Sequence, residues 1–102
     1  MATIVNKDNF DSVISSDKPT LVDFYADWCG PCRMVAPTVE EISAERADIN
    51  VVKVNVDDSP ELAIRYGVSS IPTLIVFKAG ELVSRAVGVR GKAQILEMID
   101  GK

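Results

Sequence analysis

Hydrophobic and polar positions along this chain recur with two periods, and the switches between them mark its elements. Residues 3–6 (Thr3-Ile4-Val5-Asn6) are a short strand candidate. A first helix is expected from about Asn6 or Asp8, with Phe10, Val13 and Ile14 on one face, and Asp17-Lys18-Pro19 ends it. Residues 20–25 read as a strand that is apolar on both sides except for Asp23, the pattern of a central parallel strand covered on both faces. A helix then runs to about Ala47, with Val35, Val39 and Ile42 in one stripe. Pro37 lies inside it and cannot donate a backbone hydrogen bond, so a kink is expected there. Residues 51–56 are a β-branched strand, Ser59-Pro60 supply the cap and first position of another helix, and Gly67 is its stop. Thr73 to Lys78 and Glu81 to Val87 are strands joined by a tight Ala79-Gly80 turn, hence an antiparallel pair. Lys92 to Asp100 closes the chain as a helix with Ile95, Met98 and Ile99 inward.

The resulting order, β-α-β-α-β-α-β-β-α, predicts an α/β fold: a central mixed β-sheet flanked by helices on both faces, with the last hairpin contributing antiparallel edge strands. No repeat, linker or low-complexity tract divides the 102 residues, so a single domain over 1–102 is expected. At 47% hydrophobic and 25% charged residues the composition suits a soluble chain that builds its core without disulfide staples. The net charge of −4 argues against nucleic acid as a partner, which would need a basic face. No run nears the ~18 apolar residues of a membrane span. The start from Met1 to Asn6 shows no basic region followed by a long apolar run, so neither a membrane anchor nor a secretory leader is expected.

Histidine is absent, which narrows the chemistry open to the chain. Ser-His-Asp and Cys-His nucleophiles are excluded. Two cysteines cannot supply the four ligands of a structural zinc, so no metal site is expected. Those cysteines, Cys29 and Cys32, stand in Trp28-Cys29-Gly30-Pro31-Cys32. A structural disulfide, a pair of inert buried thiols and a redox-active dithiol all fit that spacing. As a staple, a ring so small contributes only roughly 2 kcal/mol in the chain-entropy model. Position favours redox chemistry, because the motif sits at the carboxyl end of a buried strand, the edge at which α/β sheets build sites. Pro31 suits the first helical turn, which leaves Cys29 at the helix N-terminus, beside unpaired N–H groups and the positive end of the dipole. A thiolate is favoured there. Cys32, one turn further in, is expected to be more shielded. A thiol lowered from ~8.5 to ~7 gains only about threefold in attack rate at pH 7, because lower basicity offsets the larger thiolate fraction. Placing Cys32 for an intramolecular second attack contributes far more, through effective molarity.

Three further residues carry two readings each. Asp23 is either a solvated strand-end carboxylate or a buried acid of raised pKa that takes a proton from Cys32, directly or through a water. Lys53 is either a solvated charge or a cation offsetting Asp23, and the alternation of Val52, Val54 and Val56 against Lys53 and Asn55 favours the former. Pro72, in Ile71-Pro72-Thr73, is permitted at a strand entrance, and pattern alone favours its trans form.

The cysteine run, with Val22-Asp23-Phe24 before it and Pro37 after it, resembles the thioredoxin family. The resemblance continues through Lys53-Val54-Asn55-Val56-Asp57, Tyr66-Gly67-Val68, Ile71-Pro72-Thr73-Leu74, Phe77-Lys78-Ala79-Gly80 and Val87-Gly88, over nearly the whole chain. It implies the thioredoxin fold and a protein-disulfide reductase and electron carrier. Cys29 would be the attacking thiolate and Cys32 the resolving thiol, the pair cycling through a disulfide. Asp23 would be the buried acid–base group, Lys53 its neighbour, and Pro72 a cis-proline against the cysteines. Trp28, Gly30, Pro31, Ile71, Pro72, Val87, Gly88 and Val89 would form the apolar surface for an extended segment of the oxidised partner, held at the Ile71 edge by strand addition.

The partners so implied are disulfide-containing target proteins and a thioredoxin reductase that delivers electrons from NADPH. No cofactor is expected on the chain itself, which lacks a glycine-rich dinucleotide fingerprint. A cytoplasmic monomer completes the expectation. Gly30-Pro31 points to a reductant, since glutaredoxins and protein disulfide isomerases usually carry other residues there. Tyr25 departs from the tryptophan of many members, and Val89 stands where a smaller residue is common. The competing readings are a non-catalytic binding subunit and a disulfide oxidase or isomerase of the same fold.

Overall fold

In the computed structural model, which describes residues 2–101, the chain runs β1 (Thr3–Ile4), α1 (Phe10–Ile14), β2 (Thr20–Tyr25), α2 (Gly30–Glu45), β3 (Asn50–Asn55), α3 (Pro60–Arg65), β4 (Thr73–Lys78), β5 (Glu81–Val87) and α4 (Lys92–Asp100). The order is the predicted one, and β2, β4, β5 and α4 have the predicted bounds. β1 is shorter than residues 3–6, and α1 starts later than Asn6 or Asp8. Side chains explain both. Asn6 Oδ1 accepts the Asp8 N–H at 2.9 Å and Asn9 Oδ1 accepts the Asn6 N–H at 2.8 Å, so a polar turn forms before the helix. α2 runs through Pro37 and ends at Glu45, short of Ala47, because Arg46 leaves the helical region (φ −116°, ψ 83°). β3 begins one residue early, at Asn50, whose N–H bonds to the Pro19 carbonyl at 2.9 Å. α3 closes as expected at Gly67: the Val68 N–H reaches back to the Ala63 carbonyl at 2.8 Å, and Gly67 takes the positive φ of +65° that this closure requires.

The strands lie in the order β1-β3-β2-β4-β5. β3 is parallel to β1 and β2, and β4 is antiparallel to β2 and β5. The expectation that both hairpin strands lie at the edge is therefore corrected: only β5 does. β4 is buried at every residue except Lys78, so it has no polar face for water and requires strands on both sides. β5 is largely exposed, as an edge strand can be.

The pleat divides the core in two. On one face, Val22, Phe24, Ile75 and Phe77 pack with Phe10 and Ile14 of α1 and Leu62 of α3. Phe10 meets Phe77 edge to face at 5.8 Å. On the other face, Leu21, Val51, Leu74 and Val76 pack with Val35, Val39 and Ile42 of α2 and Ile95 and Ile99 of α4. Met98, expected inward, is half-buried at the rim of this second cluster. Asp23 and Tyr25 alternate in phase with Leu21, so they point toward α2.

Candidate active site

The chain leaves β2 at Tyr25 and turns through Ala26-Asp27-Trp28 into α2, which sets the cysteines at the carboxyl edge of the parallel strands. Cys29 is the N-cap of α2. Its backbone is extended, its Sγ accepts the Cys32 N–H at 3.2 Å, and Pro31 occupies the first turn. Cys29 and Cys32 form a disulfide with their Cα atoms 5.3 Å apart. The N-cap position sets the Cys29 sulfur at the positive end of the α2 dipole, an environment that favours a thiolate over a thiol. The expectation that Cys32 is the more shielded is corrected, for each cysteine is 3% exposed. The first helical turn tucks both cysteines into one small cluster with Ala26, against which Tyr25, Val56 and Ile71 pack.

What separates the two sulfurs is what each faces. Cys29 Sγ lies 3.8 Å from the Ile71 carbonyl oxygen. The Ile71–Pro72 bond is cis, as the resemblance implied and contrary to pattern alone. The Pro72 carbonyl accepts the Gly88 N–H at 2.8 Å, and Thr73 pairs with Val87 in the ladder. Gly88 has φ +94°, a conformation that strains any residue with a Cβ. Ile71, Pro72, Val87 and Gly88 are thus brought together beside Cys29. Trp28 is 69% exposed, and its Nε1 donates to Asp57 Oδ2 at 2.8 Å. A Cβ on Gly30 would meet nothing within 4 Å, so the space over the motif is open. Pro31, Val87 and Val89 are exposed as well.

Cys32 lines a cavity of about 160 Å³ with Asp23, Tyr25, Asp27, Arg33 and Lys53. Asp23 is 1% exposed, and neither carboxylate oxygen has a hydrogen-bond partner among the described residues. Burial lifts its carboxyl from 3.8 to about 6, against the pull of Lys53 and with a push from Glu40. Asp23 is therefore buried and not a solvated strand-end carboxylate. Lys53 is not a solvated charge on an outer face either. It is half-buried, paired with Asp23 in the β2–β3 register, and its Nζ sits 4.4 Å from the centre of the Tyr25 ring. Pattern reasoning misjudged it because β3 has an apolar side on each face, and α2 covers the side that Lys53 occupies. A larger cavity, about 510 Å³, lies by β1 and the end of α2 among Asn9, Ser12, Arg46 and Asn50, and holds none of these groups.

Two residues escaped the sequence reading as members of the site: Val56, which packs on the cluster formed by Ala26 and the cysteines, and Asp57, which accepts the Trp28 Nε1–H. Their signal was positional, since they follow β3 at the same carboxyl edge as the motif. Among the described residues no cluster of three or more His, Cys, Asp or Glu suits a metal, and no helix is long and apolar enough to cross a membrane.

The chain is similar to known proteins over most of its length. The model of the family described as Thioredoxin matches residues 1–101. A thioredoxin of Mycobacterium tuberculosis is 60% identical over 85 residues, which is 82% of this chain and 73% of the relative. One from Streptomyces clavuligerus is 50% identical over 93 residues, 90% of this chain and 87% of the relative. A bifunctional thioredoxin reductase/thioredoxin of Mycobacterium leprae is 54% identical over 88 residues, 85% of this chain but 19% of that longer protein.

Proposed function

The chain belongs to the thioredoxin family and is a thiol–disulfide oxidoreductase, and on that premise we propose that it is a protein-disulfide reductase with Cys29 as nucleophile and Cys32 as resolving thiol. The observation that carries this reading is the division of surroundings: Cys29 faces the Ile71–Pro72 carbonyl edge, and Cys32 shares a cavity with buried Asp23. The Cys29 thiolate attacks one sulfur of a target disulfide, forming a mixed disulfide and releasing the other target sulfur as a thiolate. Cys32 then loses its proton to Asp23 and attacks Cys29 Sγ. That closes the Cys29–Cys32 disulfide and frees the second target sulfur. Two electrons pass to the target, and Asp23 gives up its proton to solvent or to the departing thiolate.

A carboxyl that titrates at about 6 is ionised at neutral pH, yet basic enough to accept a thiol proton transiently. The target segment would lie extended across Trp28, Gly30, Pro31, Ile71, Pro72, Val87, Gly88 and Val89, bonded at the Ile71 backbone. The oxidised pair would be reduced by a thioredoxin reductase drawing on NADPH. A relative in which the two names occur in one chain supports that pairing. We place the protein in the cytoplasm as a monomeric single domain.

Reductase-coupled reduction of a protein disulfide tests the whole cycle; absence of NADPH consumption would overturn it. Cys32→Ser should accumulate a target mixed disulfide through Cys29, and Cys29→Ser should not. Trapping through Cys32 instead would reverse the roles. Full biological activity in the double serine variant would favour a non-catalytic binding subunit, and a strongly oxidising potential would favour an oxidase.

A further inference from the structure

We infer that Tyr25 is a positioning residue for the resolving step: the face of its ring holds the Lys53 ammonium at the cavity shared by Asp23 and Cys32, beside the carboxylate that receives the Cys32 proton. The inference rests on the role proposed for Asp23 above. Lys53 Nζ lies 4.4 Å from the ring centroid, inside the cation–π range. Asp23 stands opposite Lys53 and Tyr25 opposite Asn55 in the parallel ladder, and the pleat turns all four toward α2.

Neither Asp23 oxygen is hydrogen-bonded among the described residues, so Lys53 acts on it through space. A through-space interaction depends on where the ammonium sits, and a lysine stem is long and flexible. The ring fixes that place. Tyr25 itself packs against the buried cluster of Ala26, Cys29 and Cys32. Burial keeps its hydroxyl above the ordinary value, against a hydrogen bond from Asn55. The other charges around Asp23 do not replace Lys53. Glu40 of α2 pushes the carboxyl up. Asp27 and Arg33 line the cavity, but the Arg33 guanidinium donates to the Asp27 carbonyl at 2.8 Å. Freed from the ring, Lys53 would extend into water and leave Asp23 with burial and Glu40 alone.

Two readouts test this. The first is the midpoint of Asp23, followed by carboxyl-carbon NMR in the oxidised protein. The second is the reaction of the reduced protein with dithiobis(nitrobenzoate). The first thionitrobenzoate leaves when Cys29 attacks; the second leaves when Cys32 displaces it from Cys29 and closes the disulfide. Tyr25→Leu should raise the Asp23 midpoint by about half a pH unit, about threefold in proton affinity, and move the pH profile of the second release up equally. Tyr25→Phe and Tyr25→Trp, which keep an aromatic face, should stay with the parent. In a Lys53→Gln background, Tyr25→Leu should add nothing further. An unchanged midpoint, or an equal rise with and without Lys53, overturns the inference, since the ring would then act through burial alone. If Tyr25→Leu does not fold, Tyr25→Met refills the volume without an aromatic face and is read the same way. Asp23→Asn separates the two levels. An unchanged second-release profile there removes Asp23 from the mechanism, while the NMR midpoints still decide whether Tyr25 positions Lys53.

Discussion

At the scale of single residues, the role proposed for Asp23 is set against stability. Its carboxyl binds a proton more tightly in the folded chain, at about 6, than at its ordinary value of 3.8. Between those pH values unfolding releases a proton, so stability falls as pH rises. Below 3.8 the group is neutral in both states and contributes no difference; above about 6 the burden of its buried charge is complete. The interval corresponds to about 3 kcal/mol. Asp23→Asn removes the charge and should therefore stabilise the protein more at pH 8 than at pH 4, by up to about that amount. The comparison between pH values matters because the buried amide brings its own desolvation, which does not vary with pH. Urea unfolding of the two oxidised proteins at both pH values measures it. An equal difference at pH 4 and pH 8 would mean that Asp23 titrates in the fold as it does in the open chain. A buried carboxylate with no hydrogen bond among the described residues is a poor structural choice, which fits the proton-transfer role proposed for it.

Among the elements, α4 shows which contacts fasten a helix. Ile95 and Ile99 are buried against α2 and the sheet, while at the surface Lys92 reaches Glu41 at 2.5 Å and Glu45 at 2.7 Å, and Arg46 reaches Asp100 at 2.9 Å. Exposed ion pairs contribute little, because water and salt screen them, whereas truncating a buried isoleucine to alanine costs about 2–5 kcal/mol. Ile99→Ala should thus destabilise far more than Lys92→Ala, and only the Lys92 effect should fade in molar salt. Denaturation at low and high salt checks this; a salt-sensitive loss at Lys92 as large as that at Ile99 would contradict it. The same local facts explain what could be read from the sequence. The Ile95–Ile99 spacing delimits α4, and the Ala79-Gly80 turn delimits the hairpin. Ala79 and Gly80 both take positive φ there, the backbone of a two-residue hairpin turn. The late start of α1 and the interior place of β4 were not legible. The first depends on which asparagine oxygen reaches which N–H. The second depends on a pairing with β2, which lies some fifty residues earlier.

For the molecule as a whole, the site stands where a rigid centre meets a softer margin. The cysteine motif and the order of elements along the chain were legible locally, but the joining of Asp23, Lys53 and Cys32 in one cavity was not, because it requires β3 beside β2 and α2 across both. β2 is paired on both sides and covered by a core cluster on each face, and so is β4. β1 has two exposed residues and β5 is an exposed edge. Amides at 21–24 and 74–76 should therefore exchange only through global unfolding, while those of β5 that face away from β4 and those around Gly88 exchange through local opening. The disulfide spans a sequence separation of only three, at the carboxyl edge of the sheet. A closure so short restrains little of the unfolded chain, so reducing it should leave the protection of the central strands unequal to that of the margin in the same order. Extra exchange should be confined to about residues 26–33 and 71–73, where the cysteines, Trp28 and the Ile71 edge lie. Hydrogen exchange on the oxidised and reduced forms reads this directly. Loss of protection in β2 and β4 beyond the change in global stability would show that the redox pair reshapes the scaffold. Confinement to the margin would mean that the oxidised and reduced forms share one scaffold and differ only at the edge that carries the cysteines, as the function proposed above requires of a protein that meets a target in one form and a reductase in the other.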